Sequence, residues 1–237
     1  MGVKHDRIDG YSLTARSQGM NDLINAFLLV YAALFPIVDP VGGALIFVGL
    51  TRQCTDRERH ALALRVANNG FFLLVGALFG GSYVLEFFGI TLPVVRVGGG
   101  MVVASFAWKL LNSDELLLDR RAAGTGSILP TDAFYPLTMP LTVGPGSIAV
   151  AITLGSQRPK AASDVLHLAL LGGAAIAGVL AIAATIYVCF RFAEGIVATL
   201  GANGARVLMR FSAFILLCIG IQIIWSGYNT LVALAAR

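Results

Sequence analysis

Charge is scarce in this chain. Of its 237 residues only 13% are charged, where a soluble domain carries roughly 25%. Cysteine is scarce as well: Cys54 lies in a polar stretch, and Cys189 and Cys218 sit inside apolar runs. Three thiols so placed give no disulfide framework and no metal-ligand spacing. The histidines His5, His60 and His167 have neither a nucleophile nor a metal partner near them in the sequence, so they carry no assigned chemistry. An intramembrane enzyme needs a base and nucleophile, or metal ligands, facing one another. No such set is found, and no enzyme, cofactor or metal is expected. Residues 1–19 are polar and lack the apolar centre of a cleavable signal, while Met20-Asn21-Asp22 just before the first apolar run offers a second start. Alternating segments of about ten residues, the mark of a membrane β-barrel, are also missing. The net charge of +4 is spread over short loops, where membrane proteins collect Lys and Arg for topological reasons. It is not a nucleic-acid footprint.

What is abundant is apolar surface in long runs: 57% of residues are hydrophobic and the mean hydropathy is +0.81. A helix needs about 20 apolar residues to cross the hydrocarbon core. Residues 66–85, 133–155, 165–190 and 211–236 carry no formal charge, 23–51 carry only Asp39, and 90–111 carry only Arg96 and Lys109. Six membrane-spanning helices follow, and the class is all-α integral membrane. The expected organisation is a flexible polar leader over 1–22, a first three-helix unit over 23–111, a connecting loop over 112–131, and a second unit over 132–237.

The two units repeat one another. The first span contains Phe35-Pro36-Ile37-Val38-Asp39-Pro40-Val41-Gly42-Gly43-Ala44, and the fourth contains Met139-Pro140-Leu141-Thr142-Val143-Gly144-Pro145-Gly146-Ser147-Ile148. Each has a proline, a spacer, a second proline, small residues and a renewed apolar helix. Arg96 before Gly98-Gly99 in the third span has its counterpart in Arg210 before Ser212-Ala213 in the sixth. The interval from Pro145 to Arg210 is the longer one, which fits an extended link around 194–205. Two matching pairs in one order indicate duplication. Three crossings per unit force the second to enter from the opposite side, so the expected architecture is two inverted repeats about an axis in the membrane plane. Loop cations favour the side holding Arg52, Arg57, Arg59 and Arg65 as cytoplasmic, with both termini outside.

A proline inside a helix removes one N–H and frees the carbonyl four residues earlier. Pro36, Pro40, Pro140 and Pro145, loosened further by Gly42, Gly43, Gly144 and Gly146, predict that helices one and four are discontinuous. Broken backbone survives in a bilayer only against protein or a water-filled cavity. Each renewed half-helix offers N–H groups to an anion, and the freed carbonyls offer acceptors to a cation. A small zwitterion such as a neutral amino acid matches both. The candidate substrate-binding residues are therefore Asp39, Pro40, Val41, Gly42, Gly43, Thr142, Gly144, Pro145, Gly146 and Ser147, with Arg96, Arg210, Pro36 and Pro140 as gating or structural positions. Asp39 has two readings: a carboxylate that meets an ammonium or a coupling ion, and a helix cap for the half-helix at Pro40. Arg96 and Arg210 are equally read as side chains reaching to the headgroups. Gly98–Gly100 and Gly76-x-x-x-Gly80 suggest close helix packing, and Trp108, Trp225 and Tyr228 suggest interfacial anchors.

These same segments, with Val95-Arg96-Val97-Gly98-Gly99, Pro136-Leu137-Thr138-Met139-Pro140 and Gly144-Pro145-Gly146-Ser147-Ile148-Ala149, resemble the MarC family, also described as a six-helix neutral amino acid transporter family. The resemblance runs from about Leu23 to Leu234. It implies a bacterial or archaeal cytoplasmic (inner) membrane protein and, for some members, transport of glycine- or alanine-like amino acids. Where that family usually has Asn-Pro, this chain has Asp39-Pro40. The expected function is a secondary transporter working by alternating access, with H⁺ as the first expected coupling ion and Na⁺ as the second. Its expected partners are a small neutral amino acid and the lipid bilayer, with no nucleic acid and no assigned oligomeric state. An exporter of drugs or other metabolites, or a passive channel, is the alternative.

Overall fold

A computed structural model of the chain describes residues 5–51, 53–112, 133–156 and 165–236. The elements are α1 (His5–Val38), α2 (Pro40–Leu50), α3 (Asp56–Phe87), α4 (Leu92–Asn112), a π-helix (Ala133–Thr142), α5 (Pro145–Ser156), α6 (Val165–Arg191) and α7 (Ala193–Ala235). Among the described residues, five segments are long and apolar enough to cross a membrane: Gly19–Val38, Asp56–Phe87, Leu92–Asn112, Leu168–Arg191 and Asn203–Ala235. Pro40–Leu50 and Pro145–Ser156 are shorter apolar helices.

Side chains that a soluble protein would bury stand outward. Phe72 is 70% exposed, Phe87 83% and Val207 68%. Such a surface suits hydrocarbon, where apolar residues need no covering. The interior holds Leu34, Phe47, Val66, Leu74, Ile182, Ile186 and Phe190 in one cluster.

Helix boundaries follow local chemistry. Pro40 disfavours the helical region for the residue before it, and α1 stops at Val38. Thr55 caps α3 through a reciprocal box with Glu58, and Gly89 at φ 66° turns the chain from α3 to α4. The α4 helix opens just behind Thr91 with Pro93 in its first turn, as its sequence predicts. Pro136 and Pro140 cannot supply regular helix donors, and the turns around them widen. The Val143 N–H donates to Thr138 O, five residues back, at 2.8 Å. Thr138 and Thr142 hydroxyls meet the carbonyls of Ala133 and Leu137 at 2.7 and 2.8 Å.

The segment expected as a polar leader is helical from His5 and continuous with α1. The longer link around 194–205 is helical, with a break at Gly201 (φ 65°, ψ 173°). One expectation changes: among the described residues Gly76 and Gly80 are not a packing seam, since a Cβ on either would meet nothing within 4 Å. The expected connecting loop lies outside the described residues, apart from Asn112.

Helix directions are read from named contacts. The α4 and α7 helices are antiparallel, with Gly100 against Gly220 and Pro93 against Gly227. So are α3 and α6, with His60 beside Arg191, Gly70 beside Ile186, and Gly172 beside Phe79. The α1–α2 pair runs parallel to α6: Tyr31 hydrogen-bonds Thr185 at 3.2 Å, and Phe47 stacks on Phe190 at 4.6 Å. The π-helix and α5 likewise run parallel to α3, through Asn69–Thr138 at 3.4 Å and the Gly81–Ile152 contact. Apart from chain neighbours α1–α2 and α6–α7, the principal contacts join residues before 113 to residues after 132. The α2–α3 turn, the end of α4 and the α6–α7 elbow therefore share one end of the molecule, and the Gly89 turn lies at the other.

A prediction follows from the tightest crossing. A Cβ on Gly100 would lie 2.8 Å from Gly220 O and 2.9 Å from Ile224 N, which is backbone that cannot yield. Gly100→Leu is expected to cost at least about 1–3 kcal/mol, the usual overpacking penalty. A Cβ on Gly98 meets nothing within 4 Å among the described residues, and Gly98→Leu is expected to cost much less. Thermal unfolding in detergent checks both, and equal midpoints would contradict this packing.

Candidate functional site

The first break is built around one residue. Asp39 separates α1 from α2 with φ 44° and ψ 64°, the sole non-glycine residue with positive φ among the described residues. Asp is among the few side chains that tolerate this region. Its N–H still closes α1 on Phe35 O at 3.1 Å, and its C=O opens α2 by accepting from Gly43 N at 2.9 Å. Pro40 takes the first position of α2, where no N–H is needed. The carboxylate then caps the half-helix, accepting from Gly42 N at 3.1 Å. The Ser212 side chain of α7 approaches the same carboxylate. Asp39 is thus a cap for α2, and it also lines a cavity.

That cavity is bounded by Ile37, Val38, Asp39, Gly42, Gly43 and Ile46, by Phe106 and Leu110 of α4, and by Met209 and Leu216 of α7. It leaves about 20 Å³ to the centre of a water-sized particle, enough for about one water and too little for an amino acid.

The second break solves the same problem differently. The π-helix ends at Thr142, and α5 restarts at Pro145, with Gly144 O accepting from Ile148 N at 3.1 Å. Aligning Pro40 with Pro145 places Gly144 opposite Asp39 and Ser147 opposite Gly42. The exchange has a steric cause. A Cβ on Gly42 would collide with Asp39 Oδ2, so the carboxylate excludes a side chain there. Gly144 has no side chain to exclude Ser147, which is buried. Similarly, aligning Arg96 with Arg210 places Gly98 opposite Ser212.

Of the residues proposed from sequence, Asp39, Gly42 and Gly43 meet at the cavity. Pro40 is buried and Val41 half-buried beside it. The second-break residues point elsewhere: Gly146 packs on Val103, and Thr142 binds Leu137 O. Pro145 is exposed. The two breaks nonetheless touch, since α2 packs on the π-helix and α1 on α5. Arg96 is half-buried with its Cβ against Gly227, and Arg210 is exposed. Neither lines the cavity. Pro36 is half-buried inside α1, and Pro140 lies within the π-helix. Sequence reasoning missed Ser212, Phe106, Leu110, Met209 and Leu216. The repeat pointed to the right stretch at Arg210-Phe211-Ser212, but the hydroxyl there was valued only for being small.

Long apolar helices, outward aromatic side chains and a polar break in the interior define a multi-pass helical membrane protein. Residues 24–232 match the MarC family, described as integral membrane proteins, and the chain belongs to that family. It is 28% identical over 214 residues to the inner membrane protein MarC of Escherichia coli strain K12, covering 88% of this chain and 96% of that one. The same figures hold for the inner membrane protein MarC of Escherichia coli O6:H1 strain CFT073 and of O1:K1. No solved structure matches the chain significantly.

The exchange of Asp39/Gly42 for Gly144/Ser147 makes a testable pairing. Gly42→Ser alone is expected to displace the capping carboxylate and lose about 1 kcal/mol or more. In an Asp39→Gly background the same substitution should cost much less. A double-mutant cycle on thermal stability measures the coupling, and strictly additive effects would refute the steric account.

Proposed function

We propose that the chain is a secondary active transporter of small neutral amino acids, glycine- or alanine-like, working by alternating access in the bacterial inner membrane. The observation that carries this reading is the pair of interrupted helices packed against each other. Interrupted helices in corresponding positions of two halves point to a transporter's binding site. The six spans are α1–α2, α3, α4, π-helix–α5, α6 and α7, with the first and fourth discontinuous. Inversion is supported by direction: α3 and α6 are antiparallel, as are α4 and α7. The packing also keeps its pattern when the halves are exchanged. Helix α6 receives α1–α2 as α3 receives the π-helix and α5, and α2 meets α7 as α5 meets α4.

The two breaks divide the labour. At α2 the capping donor is already taken by Asp39, so that carboxylate faces the substrate ammonium or exchanges a proton. At α5 the first-turn N–H groups at Gly146 and Ser147 have no intrahelical partner, and they suit the substrate carboxylate. The cavity is too small for an amino acid, so the substrate enters after α2 parts from α4 and α7. H⁺ is the first coupling ion to test and Na⁺ the second.

The test is uptake by the reconstituted protein at several external pH values. Wild type is expected to respond to pH. Asp39→Asn should keep uptake but lose the pH response, because the amide still caps α2 and cannot ionise. Asp39→Ala removes the acceptor and should weaken binding roughly ten- to a hundredfold. Identical pH responses in wild type and Asp39→Asn would move coupling elsewhere.

Loop cations favour a cytoplasmic α2–α3 turn. A membrane-impermeant maleimide should therefore reach Cys54 only from that side. Burial, then the neighbouring Glu58, push the Cys54 thiol above its ordinary range. Since the thiolate is the reactive form, labelling should be slow at neutral pH and quicken as pH rises. Labelling from the opposite side would reverse the topology.

A further inference from the structure

Arg59 is buried, although it lies in the first turn of α3, where a helix dipole disfavours a cation. Its guanidinium is held by other means. Nε donates to Thr51 Oγ1 at 3.2 Å, and Nη2 donates to Thr51 O at 3.1 Å and Cys54 O at 3.3 Å. Nη1 donates to Asp56 Oδ1 at 3.4 Å and pairs with the Glu194 carboxylate. Thr51 is the C-cap of α2, and Glu194 lies in the first turn of α7. One side chain thus ties the end of α2 to the start of α7.

The cavity beside Asp39 lies on the same seam. Its α2 wall runs from Asp39 to Ile46, and its far wall is Met209 and Leu216 of α7 with Phe106 and Leu110 of α4. Because α4 runs antiparallel to α7, these residues occupy the half of the bundle nearer the Arg59 end. The seam between α2 and α7 leads from the cavity towards the end of the molecule where Arg59 holds Glu194, in the stretch of α7 before its break at Gly201. On its other side α2 is held to α6 by Phe47 and Gly43 against Phe190, a contact that parting from the far wall at Met209 and Leu216 does not break.

We propose that the Arg59–Glu194 pair is the bolt that closes this end of the Asp39 cavity, and that opening to this side breaks it. This rests on the transporter reading given above. Glu194 is 57% exposed while Arg59 is 8% exposed. Water reaches the acidic partner, and a half-exposed pair is weak enough to open thermally. When it opens, Arg59 keeps its bonds to Thr51 and Cys54 in the α2–α3 turn, so no buried cation is stranded.

The experiment uses full-length protein in which Cys54, Cys189 and Cys218 are replaced by serine. Single reporters, Met209→Cys or Ile46→Cys, are placed in the cavity wall and treated with a membrane-impermeant maleimide from each side. Glu194→Gln and Glu194→Lys change a surface position and leave the Arg59 bonds to α2 intact. Reporter labelling from the Arg59 side is expected to rise about two- to fivefold in Glu194→Gln, the shift that losing such a pair gives a two-state equilibrium. Glu194→Lys should raise it further, and Glu194→Asp should return it towards the parent. Unchanged or slower labelling in both Gln and Lys variants, in protein that remains monodisperse, overturns the bolt. Amino acid uptake is measured in parallel and separates the two readings. Faster labelling without uptake in any variant keeps the bolt and defeats the amino acid assignment, whereas intact uptake with unchanged labelling does the reverse.

Discussion

Inside a bilayer every backbone N–H and C=O must find its partner within the protein, and in this fold apolar helices stop and restart at Val38–Pro40 and at Thr142–Pro145. The break at Asp39 therefore governs what surrounds it. Pro40 prevents the chain from continuing as helix, and Asp39 accepts a left-handed conformation that few side chains tolerate. Its carboxylate then supplies the capping acceptor. That in turn demands glycine at position 42, and the Ser212 side chain of α7 approaches the same carboxylate. The second break meets the same demand with widened turns, two threonine hydroxyls and a glycine. Two solutions to one constraint leave the halves chemically unequal: one carries the acid, the other a hydroxyl.

Much of this was legible in the chain. Long charge-poor runs define spans because hydrocarbon tolerates little else, and prolines mark breaks because they lack a donor. The paired Pro-x-x-x-Pro and Pro-x-x-x-x-Pro segments placed both interruptions within a few residues of where they fall. What could not be read was pairing across the fold. Arg59 looked like one more loop cation setting topology, and only the folded α6–α7 elbow brings Glu194 to it. Gly76 and Gly80 have a packing spacing, yet they face outward, while Gly81 is the one that meets α5. A spacing rule says that two residues share a face; it cannot say which face is covered.

The packing has a consequence for how the two halves depend on each other. Nearly all inter-helix contacts join one half to the other, and consecutive spans of the first half scarcely touch. The first half taken alone lacks most of the partners it has in the folded protein, and Asp39 lacks its neighbour on α7. The fold is therefore held together between distant parts of the chain rather than between successive helices.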